Sequence, residues 1–225
     1  MATTLLQLRT RARERADMVG STFCSDSEIN NWLNLGLAEL YDMTVNAYED
    51  YYTTSTTLTI SSGNTVALPA TFYKLRALDF SLNGQWVELT GFNFNERNRS
   101  GSTDLWLSGA NTGRRYRIMG DNIVITPTDN AIGLYQLWYV PVMTALSGDA
   151  STIPRILSDA KWDEYVVLYA AERMLSKEES SITDVSKERA EIANRITLMA
   201  ANRQVDSSAQ VTDVNASRNW GWHGY

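Results

Sequence analysis

The chain has 225 residues, of which 44% are hydrophobic and 20% charged, a composition typical of a soluble globular protein of one or two domains. The single cysteine, Cys24, excludes an internal disulfide, and no apolar run reaches the ~20 residues that a membrane helix needs. The formal net charge of −6 argues against stable binding to DNA, because proteins that grip DNA usually present a basic surface.

The first predicted element is a helix that begins after Thr4. The Thr4 hydroxyl and the Gln7 side chain fit a capping box, and apolar residues then recur at helical spacing between Leu5 and Val19. Such a helix leaves its basic residues on the other faces, and these form a row of four: Arg9, Arg11, Arg13 and Arg15. The row is either a solvated helix face or a surface between subunits, and both interpretations stay open here.

A second capping box, formed by Ser25 and Glu28, opens a longer predicted helix. Its apolar stripe runs from Ile29 to Tyr48 with helical spacing. Gly36 lies on this stripe, where the absence of a side chain permits a close crossing with another helix despite a helix-propensity cost of roughly 1 kcal/mol. The first 52 residues therefore predict a helix hairpin.

From Thr53 the pattern changes to β-branched residues and alternation, which is typical of strands. Asn83-Gly84 is the strongest two-residue hairpin signal, and a further hairpin is predicted around residues 120–122. The stretch 100–113 reads as a loop, although it contains the apolar residues 105–107. Residues 53–154 thus predict an antiparallel β-subdomain of about five strands, without the βαβ rhythm of a nucleotide-binding sheet.

Helical periodicity returns after Pro154. Ser158 or Asp159 is the predicted N-cap of a helix. One face of this helix is shared by Trp162, Tyr165, Val166, Tyr169, Ala170 and Arg173. A polar break at 178–183 precedes a second helical stretch that extends to residue 203. We expect these two helices to form a hairpin that packs on the first one as a bundle.

The last 22 residues, 204–225, have no periodicity and are expected to be extended or disordered alone. They nevertheless end with Trp220, Trp222 and Tyr225, close to Arg218. Because Trp, Tyr and Arg are the typical hot-spot residues of interfaces, this C-terminal segment is interpreted as a docking peptide that orders on a partner. The alternative is a segment that folds back on its own subunit.

The residues that catalysis would need are missing or unremarkable. The sole histidine, His223, lies in the C-terminal segment, and there is no nucleophile elbow, P-loop or dinucleotide fingerprint. One cysteine and one histidine are too few for a Cys/His metal site, and the carboxylates have no distinguishing context. We therefore expect no enzymatic activity, no cofactor and no metal.

Taken together, these segments resemble the head-to-tail adaptor proteins of tailed bacteriophages, also called head-completion or tail-accessory proteins. The resemblance is a pattern over nearly the full length rather than one diagnostic motif. It is carried by LLQLRTRARERADM (5–18), SDSEINNWLNLGLAELYDM (25–43), YYTTSTTLTI (51–60), LPATFYKLRALDF (68–80), FNFNERNR (92–99), RYRIMGDNIVITP (115–127), LWYVP (137–141), WDEYVVLYAAERMLSKEES (162–180) and ANRQVDSSAQVTDV (201–214).

The resemblance implies a structural virion protein of the head–tail junction, assembled in the host cytoplasm. Its copies would form a dodecameric ring under the portal protein, contact a downstream tail or nozzle protein, and let DNA pass without sequence-specific binding or any membrane contact. Under the second interpretation given above, the candidate residues between subunits are Arg9, Arg11, Arg13 and Arg15. The family's portal-docking segment would correspond to residues 204–225. The candidate docking residues in it are Val211, Val214, Arg218, Trp220, Trp222 and Tyr225, of which the aromatic ones are chosen from the residue pattern and not from the resemblance.

The fold class that follows is α+β: N- and C-terminal helix hairpins form a bundle, with an inserted antiparallel β-subdomain and an extended C-terminal segment. The predicted boundaries are 1–52, 53–154, 155–203 and 204–225.

Two other functions remain open. One is a different neck or tail subunit, such as a stopper or minor tail protein. The other is a glycan-binding β module on a helical stalk, with Trp86, Trp106 and Trp138 as a sugar-stacking platform.

Overall fold

A computed structural model describes residues 2–96 and 113–201. These residues form an α+β fold, as the sequence predicts. Five helices lie toward the two ends of the described chain: α1 (Leu5–Arg15), α2 (Asp26–Ala47), α3 (Arg155–Asp159), α4 (Asp163–Lys177) and α5 (Thr183–Ala201).

The two predicted capping boxes open α1 and α2. The backbone N–H of Thr4 donates to Oε1 of Gln7 at 3.0 Å, and the N–H of Gln7 donates to the Thr4 hydroxyl at 3.3 Å. At α2, the N–H of Ser25 donates to Oε2 of Glu28 at 2.9 Å. Local sequence alone therefore determines where both helices begin, because these bonds satisfy backbone donors that have no partner inside the helix.

Helices α1, α2, α4 and α5 pack into the predicted bundle around one apolar core. Helices α2 and α4 cross at Gly36. A Cβ atom built on this glycine would lie 3.0 Å from Cβ and Cγ of Tyr169. The close crossing predicted for Gly36 is therefore present, and Tyr169 is its partner.

The start of the C-terminal helix hairpin differs from the prediction. Neither Ser158 nor Asp159 caps α4, because both lie in the short helix α3, and α4 begins after Trp162 without a side-chain cap. The Ser158 hydroxyl instead lies 2.9 Å from the hydroxyl of Thr3, at the start of the chain. The short helix α3 thus contacts the start of the chain, next to α1.

Eight strands are present in the described residues, more than the five or so predicted. They are β1 (Thr54–Ile60), β2 (Thr65–Ala67), β3 (Phe72–Leu82), β4 (Gln85–Glu88), β5 (Thr90–Gly91), β6 (Arg115–Met119), β7 (Asn122–Thr126) and β8 (Gly133–Pro141). They form two four-stranded sheets, sheet A with the order β1-β8-β3-β4 and sheet B with the order β2-β7-β6-β5. All pairs are antiparallel except β5 with β6, a two-residue parallel contact that local alternation does not reveal.

The predicted hairpins are present. Asn83 and Gly84 connect β3 to β4 with φ angles of 52° and 82°, and positive φ at both central residues is what a two-residue hairpin requires. The turn at 120–121 connects β6 to β7. The two sheets bury their inner faces against each other in a second apolar core, to which sheet A contributes Leu78, Phe80 and Leu137 and sheet B contributes Ile123 and Ile125.

A tyrosine cluster joins the β-subdomain to the bundle. The Tyr41 hydroxyl donates to the carbonyl oxygen of Pro141 at 2.5 Å, and the Tyr41 ring lies 4.4 Å from that of Tyr52. Tyr41 and Val45 of α2 also pack against Val140 of β8. The tyrosine-rich exit from α2 is therefore the joint between the two cores.

Two sequence predictions fall outside the described residues: the loop over most of 100–113, with its apolar residues 105–107, and the C-terminal segment 204–225 with its docking role. The predicted domain boundaries likewise stay a prediction.

Candidate interaction surfaces

The four arginines of α1 form two pairs, each spaced four residues apart and each directed to a different neighbour. Arg9 and Arg13 face the start of α2, whereas Arg11 and Arg15 face the start of α4. A spacing of four residues places side chains on the same helix face, which is why the row separates in this way. Each pair shares a carboxylate in the first turn of its neighbouring helix.

The first pair converges on Asp26. Arg13 Nη2 lies 2.9 Å and Arg9 Nε 3.5 Å from Asp26 Oδ1. Arg13 Nη1 also donates to the carbonyl oxygen of Ser21 at 2.7 Å, and Arg9 Nη1 lies 3.0 Å from Asp149 Oδ1. The Arg9 side chain is only 11% exposed, so this pair chiefly fixes the α1–α2 connection.

The second pair converges on Glu164. Arg15 Nη2 lies 2.7 Å from Glu164 Oε1 and 3.2 Å from Glu188 Oε1, and Arg11 Nη2 also bonds Glu164. Arg11 Nη1 lies 2.6 Å from Oδ2 of the buried Asp163. The pair therefore ties α1 to α4 and α5, and the Arg15 side chain still keeps 45% of its surface exposed.

Asp163 is the most enclosed acid of this network. Its Oδ2 accepts hydrogen bonds from Arg11 and from the Thr3 hydroxyl at 2.9 Å, whereas its Oδ1 is buried without a hydrogen-bond partner. Burial works to lower the pKa of Arg11, but the hydrogen bonds to Asp163 and Glu164 outweigh it and raise the pKa. Arg11 thus stays charged and balances the buried carboxylate.

A cleft of about 960 Å³ lies between α1 and α5, above the start of α4. Its walls carry more acidic than basic side chains, together with the apolar Leu6 and Ile192. Leu6 is largely exposed there. Arg11 lines the cleft, as do Glu164 and Glu188, the two carboxylates that Arg15 contacts.

The sequence prediction assigned the four arginines to a surface between subunits. The structure gives all four partners within the chain, and whether any of them also contacts a neighbouring subunit stays a prediction. The carboxylates that receive them are signalled only partly by the sequence. Asp26 and Glu164 each lie in the first turn of a helix, where negative charge is favoured, but nothing local shows that α1 lies across both turns.

The outer face of sheet A carries exposed tryptophans. Directly opposed residues of neighbouring strands share a face, and the register pairs Trp138 with Ala77 and Trp86 with Ser81. Trp86 is 44% and Trp138 36% exposed, and the Trp138 indole N–H donates to Asp79 Oδ2 at 2.7 Å. We call this surface the tryptophan face; its members are Asp79, Ser81, Trp86, Glu88, Leu134 and Trp138.

The exposure of Trp86 and Trp138 is what a glycan-binding module would need, and Trp106 lies outside the described residues. The register, however, places the two rings four residues apart along the strands and two strands apart, roughly 13 Å by 10 Å. They cannot enclose a single sugar ring between them.

The opposite outer face, on sheet B, is basic, and the sequence analysis did not single it out. Arg117 pairs with Val124, which in turn pairs with Thr65, and Arg115 lies two residues before Arg117 on the same face. Arg117 Nη1 donates to the carbonyl oxygen of Phe92 at 3.1 Å, and its guanidinium lies 5.6 Å from the centre of the Phe94 ring. We call this surface the arginine face. The alternation Arg-Tyr-Arg-Ile in β6 was the available signal.

Within residues 2–96 and 113–201, no group of His, Cys, Asp or Glu side chains has the arrangement of a metal site. None of the described helices is long and apolar enough to cross a membrane.

The model of the family described as SU10 adaptor protein matches residues 3–217, which is nearly the whole chain. No curated protein matches the chain.

Proposed function

Since the chain belongs to the SU10 adaptor protein family, we propose that it is a head-to-tail adaptor of a tailed bacteriophage, a structural virion protein without catalytic activity. Copies of the chain form a ring beneath the portal, connect the capsid to the tail and continue the channel through which DNA passes. The observation that carries the proposal is the family match over residues 3–217, which includes the bundle, the β-subdomain and the first part of the C-terminal segment.

In this proposal the helical bundle is the body of a ring of twelve copies. A closed ring needs a heterologous interface, in which two different surfaces of each copy meet. Of the four arginines, Arg11 and Arg15 suit such a surface best, because both side chains remain partly exposed and Arg11 also lines the open cleft. Arg9 and Arg13 would act indirectly, by fixing the α1–α2 connection.

The C-terminal segment docks on the portal protein, and the opposite rim receives a downstream tail or nozzle protein. The residues proposed to contact the portal are Val211, Val214, Arg218, Trp220, Trp222 and Tyr225. Aromatic and arginine side chains supply most of the binding energy in many interfaces, which supports the assignment of the aromatic end. The protein is then located in the virion neck after assembly in the host cytoplasm.

The negative charge of the chain is compatible with a channel wall. A net charge of −6 repels the phosphates of DNA, so DNA can move past such a ring without being retained. This repulsion supports passage of DNA without sequence-specific binding.

Co-sedimentation with purified portal rings from the same virus tests the proposal. The full-length chain is compared with a chain that ends at Arg203. Saturable binding that is lost with the C-terminal segment supports both the adaptor role and the docking peptide. Binding that survives the truncation keeps the adaptor role and overturns the docking peptide.

Absence of binding by the full-length chain would refute the adaptor proposal and favour one of its two alternatives. A stopper or minor tail subunit would bind a different neck component instead of the portal. A glycan-binding module would bind a glycan array, and that binding would be lost in Trp86→Ala while the helical circular dichroism stays unchanged.

A further inference from the structure

We propose that the two outer faces of the β-sandwich bind each other between neighbouring copies, the tryptophan face of one copy receiving the arginine face of the next. This inference rests on the proposed ring and adds a specific contact to it, distinct from the helical bundle. Its partner is a second copy of this chain.

The two faces are complementary in charge. The six residues of the tryptophan face include two acids, Asp79 and Glu88, and no basic residue. On the arginine face, β6 carries Arg115 and Arg117. Opposite potentials steer two such surfaces together and suppress contacts of like faces.

The two faces also expose side chains of complementary types. Trp86 and Leu134 are more than one third exposed on the tryptophan face, as is Phe94 beside the arginine face. A guanidinium placed over a tryptophan ring is stabilised by about 0.5–1 kcal/mol at an exposed site and more when water is excluded. The aromatic rings and acids of the tryptophan face are therefore complementary to the arginines of the arginine face.

The positions of the two faces favour a contact between successive copies. The inner faces of sheets A and B are buried against each other, so the two outer faces lie on opposite sides of one sandwich. Two different and opposite surfaces make a heterologous contact, which continues from copy to copy and closes into a ring when the rotation permits. A two-fold dimer would instead bring identical faces together and place like charges opposite each other.

Cysteine cross-linking tests the contact, because the only natural cysteine, Cys24, is buried. Ser81→Cys places a thiol on the tryptophan face, and Val124→Cys places one on the arginine face. Each variant is treated with a short bismaleimide, alone and mixed with the other, both bound to portal rings and free at high concentration. We expect cross-linked dimers in the mixture and none with either variant alone.

A charge exchange adds specificity to the test. Arg117→Glu in the Val124→Cys copy should lower the cross-linking yield about tenfold, the effect of ~1.4 kcal/mol. Glu88→Arg in the Ser81→Cys copy should restore it. Arg155→Glu is the matched control, because it makes the same charge change on the exposed surface of α3 and should leave the yield unchanged.

The outcomes separate the two proposals. Saturable portal binding without cross-links in the mixture overturns the face-to-face contact and leaves the adaptor role intact. Cross-linked dimers of Ser81→Cys alone would also overturn it, because they require identical faces to meet. If portal binding fails while the mixture still cross-links in solution, the contact stands and the adaptor role fails.

Discussion

Replacing Gly36 by alanine should destabilise the protein, although alanine is the better helix former. In a helix without neighbours this substitution gains about 1 kcal/mol. Here the new methyl group lies 3.0 Å from Cβ and Cγ of Tyr169 and 3.1 Å from its Cδ1, whereas ordinary contacts begin near 3.4 Å. The Tyr169 Cβ is attached to the backbone of α4, so the two helices must move apart by several tenths of an ångström.

The expected magnitude follows from these two opposing terms. Overpacking of a well-packed core costs about 1–3 kcal/mol, and the propensity gain offsets about 1 kcal/mol of it. Because the clash involves an atom fixed to the backbone rather than the end of a flexible side chain, we expect a net loss of about 1–2 kcal/mol in the free energy of unfolding. Urea denaturation, followed by circular dichroism, measures this change.

Ala38→Gly is the matched control, since Ala38 is exposed on the same helix two residues away. It should lose about 1 kcal/mol through helix propensity alone. If Gly36→Ala instead gained about that amount, the close approach of α2 and α4 would be refuted. Adding Tyr169→Ala removes the Cγ and Cδ1 contacts, so the double variant should lose less than the sum of the single losses.

Three further predictions concern ionisable groups. Burial raises the pKa of Tyr52 and Tyr165 to about 12, so their contribution to stability is complete below their ordinary pKa of 10 and is lost as the pH rises toward 12. Replacing both by phenylalanine should move the midpoint of alkaline unfolding upward, and an unchanged midpoint would contradict this. The hydrogen bond from the Lys177 ammonium lowers the pKa of Glu28 to about 2, with smaller contributions from the Ser25 backbone N–H and hydroxyl. The stability from Glu28 is therefore complete above its ordinary pKa of 4.5 and is lost as the pH falls toward 2, and Glu28→Gln should flatten the acid unfolding curve in that window. Asp163→Ala should lower the free energy of unfolding, measured by urea denaturation, by about 2 kcal/mol. This loss is smaller than that expected on breaking a fully buried ion pair, because Arg11 is partly exposed and still contacts Glu164.

Several elements of this protein were determined by short stretches of sequence. The capping boxes at Thr4 and Ser25 determine where α1 and α2 begin, because the bonds involved connect residues only three positions apart. Asn83-Gly84 determines a hairpin for the same reason, since only residues tolerant of positive φ fit its turn. The family was also recognisable from the order of such local patterns along the chain.

The tertiary structure decided which surfaces these elements form. The row of arginines in α1 forms one surface in the sequence pattern, yet it divides into two pairs because α1 lies across the first turns of both α2 and α4, which begin at residues 26 and 163. The assignment of strands to two sheets likewise depends on long-range pairing, such as β1 with β8, which no local alternation specifies. Periodicity predicts which side of an element is buried, but the partner on that side is set by packing over the whole chain, and so are the acidic cleft and the two opposite faces of the sandwich.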